Sequence, residues 1–170
     1  RDRGYFHYLS DCAPAARIVI GDGRLSLARE EDPAFDLLIL DAFSSDAIPL
    51  HLITQQAMKV YLARLAPNGL LLFHISNRYL DLKPVLADLA ADAGLQAYVQ
   101  HDPGDKKEYR FGSDWVVMAR NEAELAPGLI NRHWHRLKAQ LDRRVWTDNY
   151  GNLLTIMRWL RKSQDQQFGD

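Results

Sequence analysis

The sequence predicts an α/β fold on a doubly wound sheet, and three observations carry that expectation. Two apolar runs, LLIL at 37–40 and LLLFHI at 70–75, lack the polar alternation of a half-solvated strand. Each therefore reads as a strand buried on both faces, as in a parallel sheet. Both end in polar residues: Asp41 after the first, and His74, Ser76, Asn77 and Arg78 around the end of the second. Segments with apolar residues at helical spacing follow them, giving strand–helix alternation.

Taken in order, residues 1–12 (RDRGYFHYLSDC) are aromatic and polar, and Tyr5, Phe6 and Tyr8 suit the flank of a sheet. AARIVI at 15–20 predicts a short strand, ending in Gly21-Asp22-Gly23-Arg24 before a helix at 25–30. Two readings of that turn stand side by side. Asp22 caps the helix while the glycines take special backbone angles, or Gly21 and Gly23 let a flat ligand approach and Asp22 accepts its hydrogen bond. The strand at 35–40 then opens into DAFSSDAIP at 41–49. In open α/β sheets ligands bind beyond the carboxyl ends of the strands. Asp41 thus stands where chemistry would be done, although it could equally cap the next helix or tie down its loop.

A helix is expected at 50–65, with Leu52, Ile53, Met58, Val60, Tyr61 and Leu65 on its apolar face, stopped by Pro67-Asn68-Gly69. The second buried strand follows, then an amphipathic helix at 82–93 closed by Gly94. LQAYVQ at 95–100 and SDWVVMA at 113–119 predict strands joined only by a charged loop, hence an antiparallel hairpin at one edge. Residues 121–142 space Leu125, Leu129, Ile130, Trp134, Leu137 and Leu141 for a helix. On it His133 and His135 point to different faces. With no Cys, Asp or Glu cluster beside them, no metal site is expected. WTDNY at 146–150 reads as a polar loop between aromatics, 153–160 as a closing helix and 164–170 as a frayed tail.

Composition narrows the function classes. The length of 170 residues suits one domain with a real core. A net charge of −1 gives no electrostatic case for nucleic acid or an anionic membrane. The single cysteine, Cys12, cannot form an internal disulfide and fits a reducing compartment. No apolar run approaches the roughly 20 residues that span a bilayer. Arg1 is not a natural start, so the chain reads as an excised piece.

At Gly21-Asp22-Gly23, at DAFSSDAIP, at HISNRYLDL (74–82) and at WTDNYGN (146–152), the chain resembles the spermidine synthase family. It is most similar to bacterial spermidine synthase-like proteins, some of which carry a membrane-spanning N-terminal part. The resemblance covers most of residues 5–160 and implies a partial Rossmann-like, methyltransferase-type domain at 1–162, with a tail at 163–170. It implies aminopropyl transfer from decarboxylated S-adenosylmethionine to a diamine, with that nucleoside or S-adenosylmethionine as co-substrate and no tightly bound cofactor. The rival expectations are an S-adenosylmethionine-dependent methyltransferase-like domain and a non-catalytic polyamine- or nucleoside-binding module.

Residue by residue, Asp22 matches the acid that bonds the adenine amino group, with Gly21 and Gly23 beside it. Asp41 matches the catalytic Asp, and Asp46, with Ser44 and Ser45, resembles the second half of the family's D-S-S-D loop that holds the amine. His74, replacing the usual Gln, and Tyr79 fall where the amine site is lined. Asp148 and Tyr150 belong to a motif of the membrane-linked relatives. The family's glycine-rich first half has no counterpart in this chain, so the resemblance implies about half of a nucleoside site and a fragment that is inactive by itself. From the parent strand order 3-2-1-4-5-7-6, a sheet lacking its first two strands is expected. The strand at 17–20 must then pair with 35–40, pair with another copy, or stay loose; an unpaired edge invites association, so a homodimer is expected. The resemblance implies a cytoplasmic location, in some relatives as the cytoplasmic part of a membrane protein.

Overall fold

The computed structural model describes residues 7, 11–13, 15–30, 35–42, 49–105, 107–125, 133–140 and 143–158. Five strands form one mixed sheet: β1 (Phe35–Leu40), β2 (Leu65–His74), β3 (Gln96–Asp102), β4 (Ser113–Ala119) and β5 (Trp134–Arg136). Their spatial order is β1-β2-β4-β3-β5. β1 and β2 are parallel, and the three remaining pairings are antiparallel. This is a truncated Rossmann-like, methyltransferase-type sheet, as the sequence predicts.

Side-chain alternation divides the strands between two clusters. Leu71 and Phe73 of β2 and Val116 and Met118 of β4 enter the larger one. The helices α1 (Gly23–Ala28), α2 (Gln55–Arg64) and α3 (Lys83–Asp92) cover that face, with Leu27, Met58, Tyr61, Leu86 and Leu89 among its members. Tyr98, Val117, Ala119 and Leu125 form a smaller cluster packed by Leu70, Leu72 and Trp134. Burying β1 on both faces is therefore corrected. Leu40 is buried and Leu38 packs on the larger cluster, while Leu37 and Ile39 remain 49% and 51% exposed. Among the described residues no helix covers that side of β1.

Local chemistry fixes the helix ends. Thr54 caps α2 by accepting the Ala57 N–H, and the one-turn 3-10 helix Leu50–Leu52 precedes it. Gly94, at φ +70°, closes α3. Pro67-Asn68-Gly69 does more than stop a helix: it lies within β2, where the register against β1 shifts between Phe35 and Leu37. A Cβ on Gly69 would lie 2.7 Å from the Phe35 carbonyl oxygen, so only glycine lets the strands close there. The Arg120 guanidinium donates to the carbonyls of Leu62, Leu65, Ala66 and Pro67, satisfying the end of α2 and the irregular start of β2.

Several expectations are overturned. The helix at 121–142 is replaced by a 3-10 turn at Glu122–Glu124 and by β5, with residues 126–132 and 141–142 outside the described set. Trp134 and His135 pair with Gln100 and Val99, so free backbone on β3 outweighs helical spacing. The β3–β4 hairpin is antiparallel as predicted, but β5 lies outside it and takes the edge. Where the closing helix is expected, Leu153–Ile156 form a 3-10 turn and Met157 bridges Leu80; residue 158 is helical, and 159–160 lie outside the described residues. The segment 16–20 joins no strand ladder, and Ile20 is 91% exposed.

Candidate functional site

Asp41 is the first residue past the C-terminal end of β1, and its side chain is 64% exposed. Beside it opens a cavity of about 230 Å³, whose walls include Arg24, Leu38, Leu40, Leu52 and Tyr61. Gly23 lies on its rim, and a Cβ there would meet nothing within 4 Å. The space is mostly hydrocarbon, with one carboxylate at its mouth. Burial of Tyr61, on the inner face of α2, pushes its hydroxyl well above the ordinary tyrosine range, so it stays a neutral donor, bonded to the Leu52 carbonyl at 2.9 Å.

The Asp41 carboxylate is not alone. Its Oδ1 lies 2.6 Å from His74 Nδ1, at the end of the neighbouring parallel strand. On the far side of the ring, Nε2 is 2.6 Å from Ser76 Oγ. That hydroxyl accepts the Asp114 N–H at 2.9 Å. The imidazole also stacks on Trp115, its cross-strand neighbour in β4, at 4.6 Å between ring centres and 22° between planes. Residues from three strands thus hold one ring by both nitrogens and one face.

The GDG turn places Asp22 as the cap of α1, accepting the Leu25 N–H at 2.8 Å, with His51 Nε2 3.0 Å from its other oxygen. The Leu25 N–H holds the Asp22 carboxyl below its ordinary range, and His51 adds to the effect. Gly21, at φ +144°, has backbone angles that favour glycine. Of the two readings of Asp22 drawn from the sequence, the structure shows the cap; Asp22 adjoins Gly23, which lines the cavity, without lining it itself.

Arg24, one residue further, donates to both oxygens of Asp148 at 2.7 and 2.8 Å. Thr54 Oγ1 adds a third bond to Asp148, at 2.7 Å. Arg24 holds the Asp148 carboxyl below the usual range, and Asp148 in turn raises the guanidinium. The Thr147–Tyr150 turn is further tied to α2 by Gln55 N–H to the Trp146 carbonyl at 2.8 Å and by Asp148 N–H to Gln56 Oε1 at 3.1 Å.

The structure therefore gathers Gly23, Arg24 and Asp41 around one cavity, joins Asp22 to it through the turn, and places His74 behind Asp41. Tyr150 faces a different space of about 270 Å³ shared with Asp88, Arg143 and Trp146, its ring under the Arg144 guanidinium at 4.3 Å. Tyr79 is exposed, in a turn where Asn77 Oδ1 accepts its N–H at 2.9 Å. Ser44, Ser45 and Asp46 lie outside the described residues. Among the described residues no group of three or more His, Cys, Asp or Glu could hold a metal, and no helix is long and apolar enough to cross a membrane.

Sequence reasoning missed Ser76, Trp115, Arg24 and Thr54 as members of the site. Ser76 carried a signal, two residues beyond His74 at a strand exit. Trp115 becomes visible only with the β2–β4 register.

No family model matches the chain, and no curated protein does. Solved structures do. A probable spermidine synthase from Corynebacterium glutamicum matches with a TM-score of 0.52 at 19% identity, covering 83% of this chain and 57% of that one. MNMC2 from Aquifex aeolicus matches with a TM-score of 0.47 at 16% identity, covering 81% of this chain and 46% of that one. The first match shows a shared fold. The present chain spans 57% of that neighbour's length.

Proposed function

We propose that this chain carries part of both the nucleoside and the amine sites of an aminopropyltransferase of the spermidine synthase type, with Asp41 as its proton acceptor. The observation that carries the reading is the exposed Asp41 carboxylate at the end of β1, facing a largely apolar cavity of about 230 Å³. An ammonium has no lone pair and cannot attack carbon. A carboxylate at the cavity mouth first takes one of its protons, which frees the lone pair. The amine nitrogen then attacks the aminopropyl carbon bonded to the sulfonium of decarboxylated S-adenosylmethionine. The C–N bond forms, the C–S bond breaks, and sulfur keeps the electron pair as a neutral thioether. Holding the two reactants in line supplies much of the rate.

In this reading the apolar cavity and the open face of Gly23 receive the flat nucleoside, and Asp22 is within the turn that would meet its amino group. Asp46 grips the distal ammonium of a diamine by a charge-assisted hydrogen bond. A non-catalytic nucleoside- or amine-binding module is the second reading.

The leaving group separates the chemistries. The full-length protein is incubated with a diamine and either decarboxylated or intact S-adenosylmethionine, and the products are read by mass spectrometry. Aminopropyl transfer releases 5′-methylthioadenosine, and that is the expected product. Release of S-adenosylhomocysteine would mean methyl transfer, and binding without turnover of either nucleoside would leave a binding module; either result overturns the proposal.

A further inference from the structure

We infer that His74 is the positioning residue that aims Asp41, an inference that rests on Asp41 being the proton acceptor. The proton inventory of the chain Asp114–Ser76–His74–Asp41 is almost forced. Ser76 Oγ accepts the Asp114 amide hydrogen, so its own hydrogen is free to point at His74 Nε2, 2.6 Å away. With Nε2 accepting, the neutral ring carries its proton on Nδ1. That N–H donates to Asp41 Oδ1, 2.6 Å away. The tautomer is thus fixed by the bond at the opposite nitrogen. Stacking on Trp115 fixes the ring plane.

The consequence falls on Asp41. A solvent-exposed carboxylate otherwise turns freely and offers either oxygen in many directions. Here Oδ1 is held and Oδ2 is the oxygen left for the amine. Misplacing a reacting group by about 1 Å costs on the order of a hundredfold in rate, so a carboxylate anchored at one oxygen is worth having.

The connectivity Asp–His–Ser is also that of a serine nucleophile and its base, but the exposure is inverted. In a nucleophilic triad the serine meets the substrate and the acid is buried. Here the Asp41 side chain is 64% exposed, His74 25%, and Ser76 is half-buried with its oxygen already accepting an amide. The end of the chain that reaches the cavity is the carboxylate.

Asparagine and glutamine separate the two ring nitrogens. The amide nitrogen of Asn reaches the position of Nδ1, whereas that of Gln reaches Nε2. In the full-length protein, His74→Asn should keep kcat within about tenfold. His74→Gln should lower it on the order of a hundredfold, with KM for the nucleoside unchanged. Independently of turnover, nitrogen NMR followed to alkaline pH until the ring signals stop changing should show the neutral ring protonated on Nδ1, and Ser76→Ala should mix the tautomers. Nε2 protonation in the wild type, equal losses for Asn and Gln, or labelling of Ser76 by a fluorophosphonate would overturn the inference. A protein with the Nδ1–H tautomer but no transfer activity would keep the anchored carboxylate and remove the aminopropyl reading, so the two failures are distinguishable.

Discussion

At the scale of single residues, the site is a set of carboxylates that differ in what holds them. Asp148 is the most firmly bound, by the two terminal guanidinium nitrogens of Arg24 and by the Thr54 hydroxyl. Its folded pKa lies below its ordinary value. A depressed acid contributes stability that is fully present above the unfolded pKa of about 3.9 and is lost as pH falls through the lower folded value. Asp148→Asn should therefore cost about 1–2 kcal/mol at neutral pH, after discounting for its partial exposure. Wild type and variant should converge in strong acid. Urea melts between neutral and acid pH test this, and a gap that does not narrow would contradict it. Asp148 is singled out in the sequence only by the resemblance at WTDNYGN, which gives it no definite role. Its partner was not legible there, because Arg24 is 124 residues away in the chain and no local spacing encodes that pairing.

At the scale of elements, the helices and central strands follow from periodicity and stop signals because their faces pack on a core. α3 runs from Lys83 to Asp92, inside its expected range, and β4 covers the predicted residues. The failures are short or late elements. β5 reads as helix from its spacing, yet three residues pair with β3, because an unpaired strand edge is a stronger local demand than propensity. The junction of α2 and β2 is the most exacting element. Arg120 serves four carbonyls there, those of Leu62, Leu65, Ala66 and Pro67. Arg120→Ala should leave some of them unsatisfied and cost about 1–3 kcal/mol in a denaturant melt. A loss below about 0.5 kcal/mol, the scale of an ordinary surface change, would contradict the assignment.

At the scale of the whole molecule, β1 is an edge strand among the described residues, with Leu37 and Ile39 half-exposed and residues 18–20 beside the same end of the chain also exposed. The continuous apolar run that predicts a strand buried on both sides was legible; the cover on its second face is not present among the described residues. An open, apolar strand edge promotes association. The 170-residue chain expressed alone should self-associate in light scattering, and Leu37→Lys with Ile39→Lys should return it to a monomer. A monodisperse wild-type monomer would contradict this. Function sits at this scale too, because Asp41 gains its setting from β1, His74 and Ser76 from the exit of β2, and Trp115 from β4. The most direct measurement is turnover by the full-length Asp41→Asn protein with decarboxylated S-adenosylmethionine and a diamine. Removing the proton acceptor while keeping the side chain's shape should lower kcat by about 10²–10⁴-fold with nucleoside binding intact. Wild-type turnover in that variant would contradict the account.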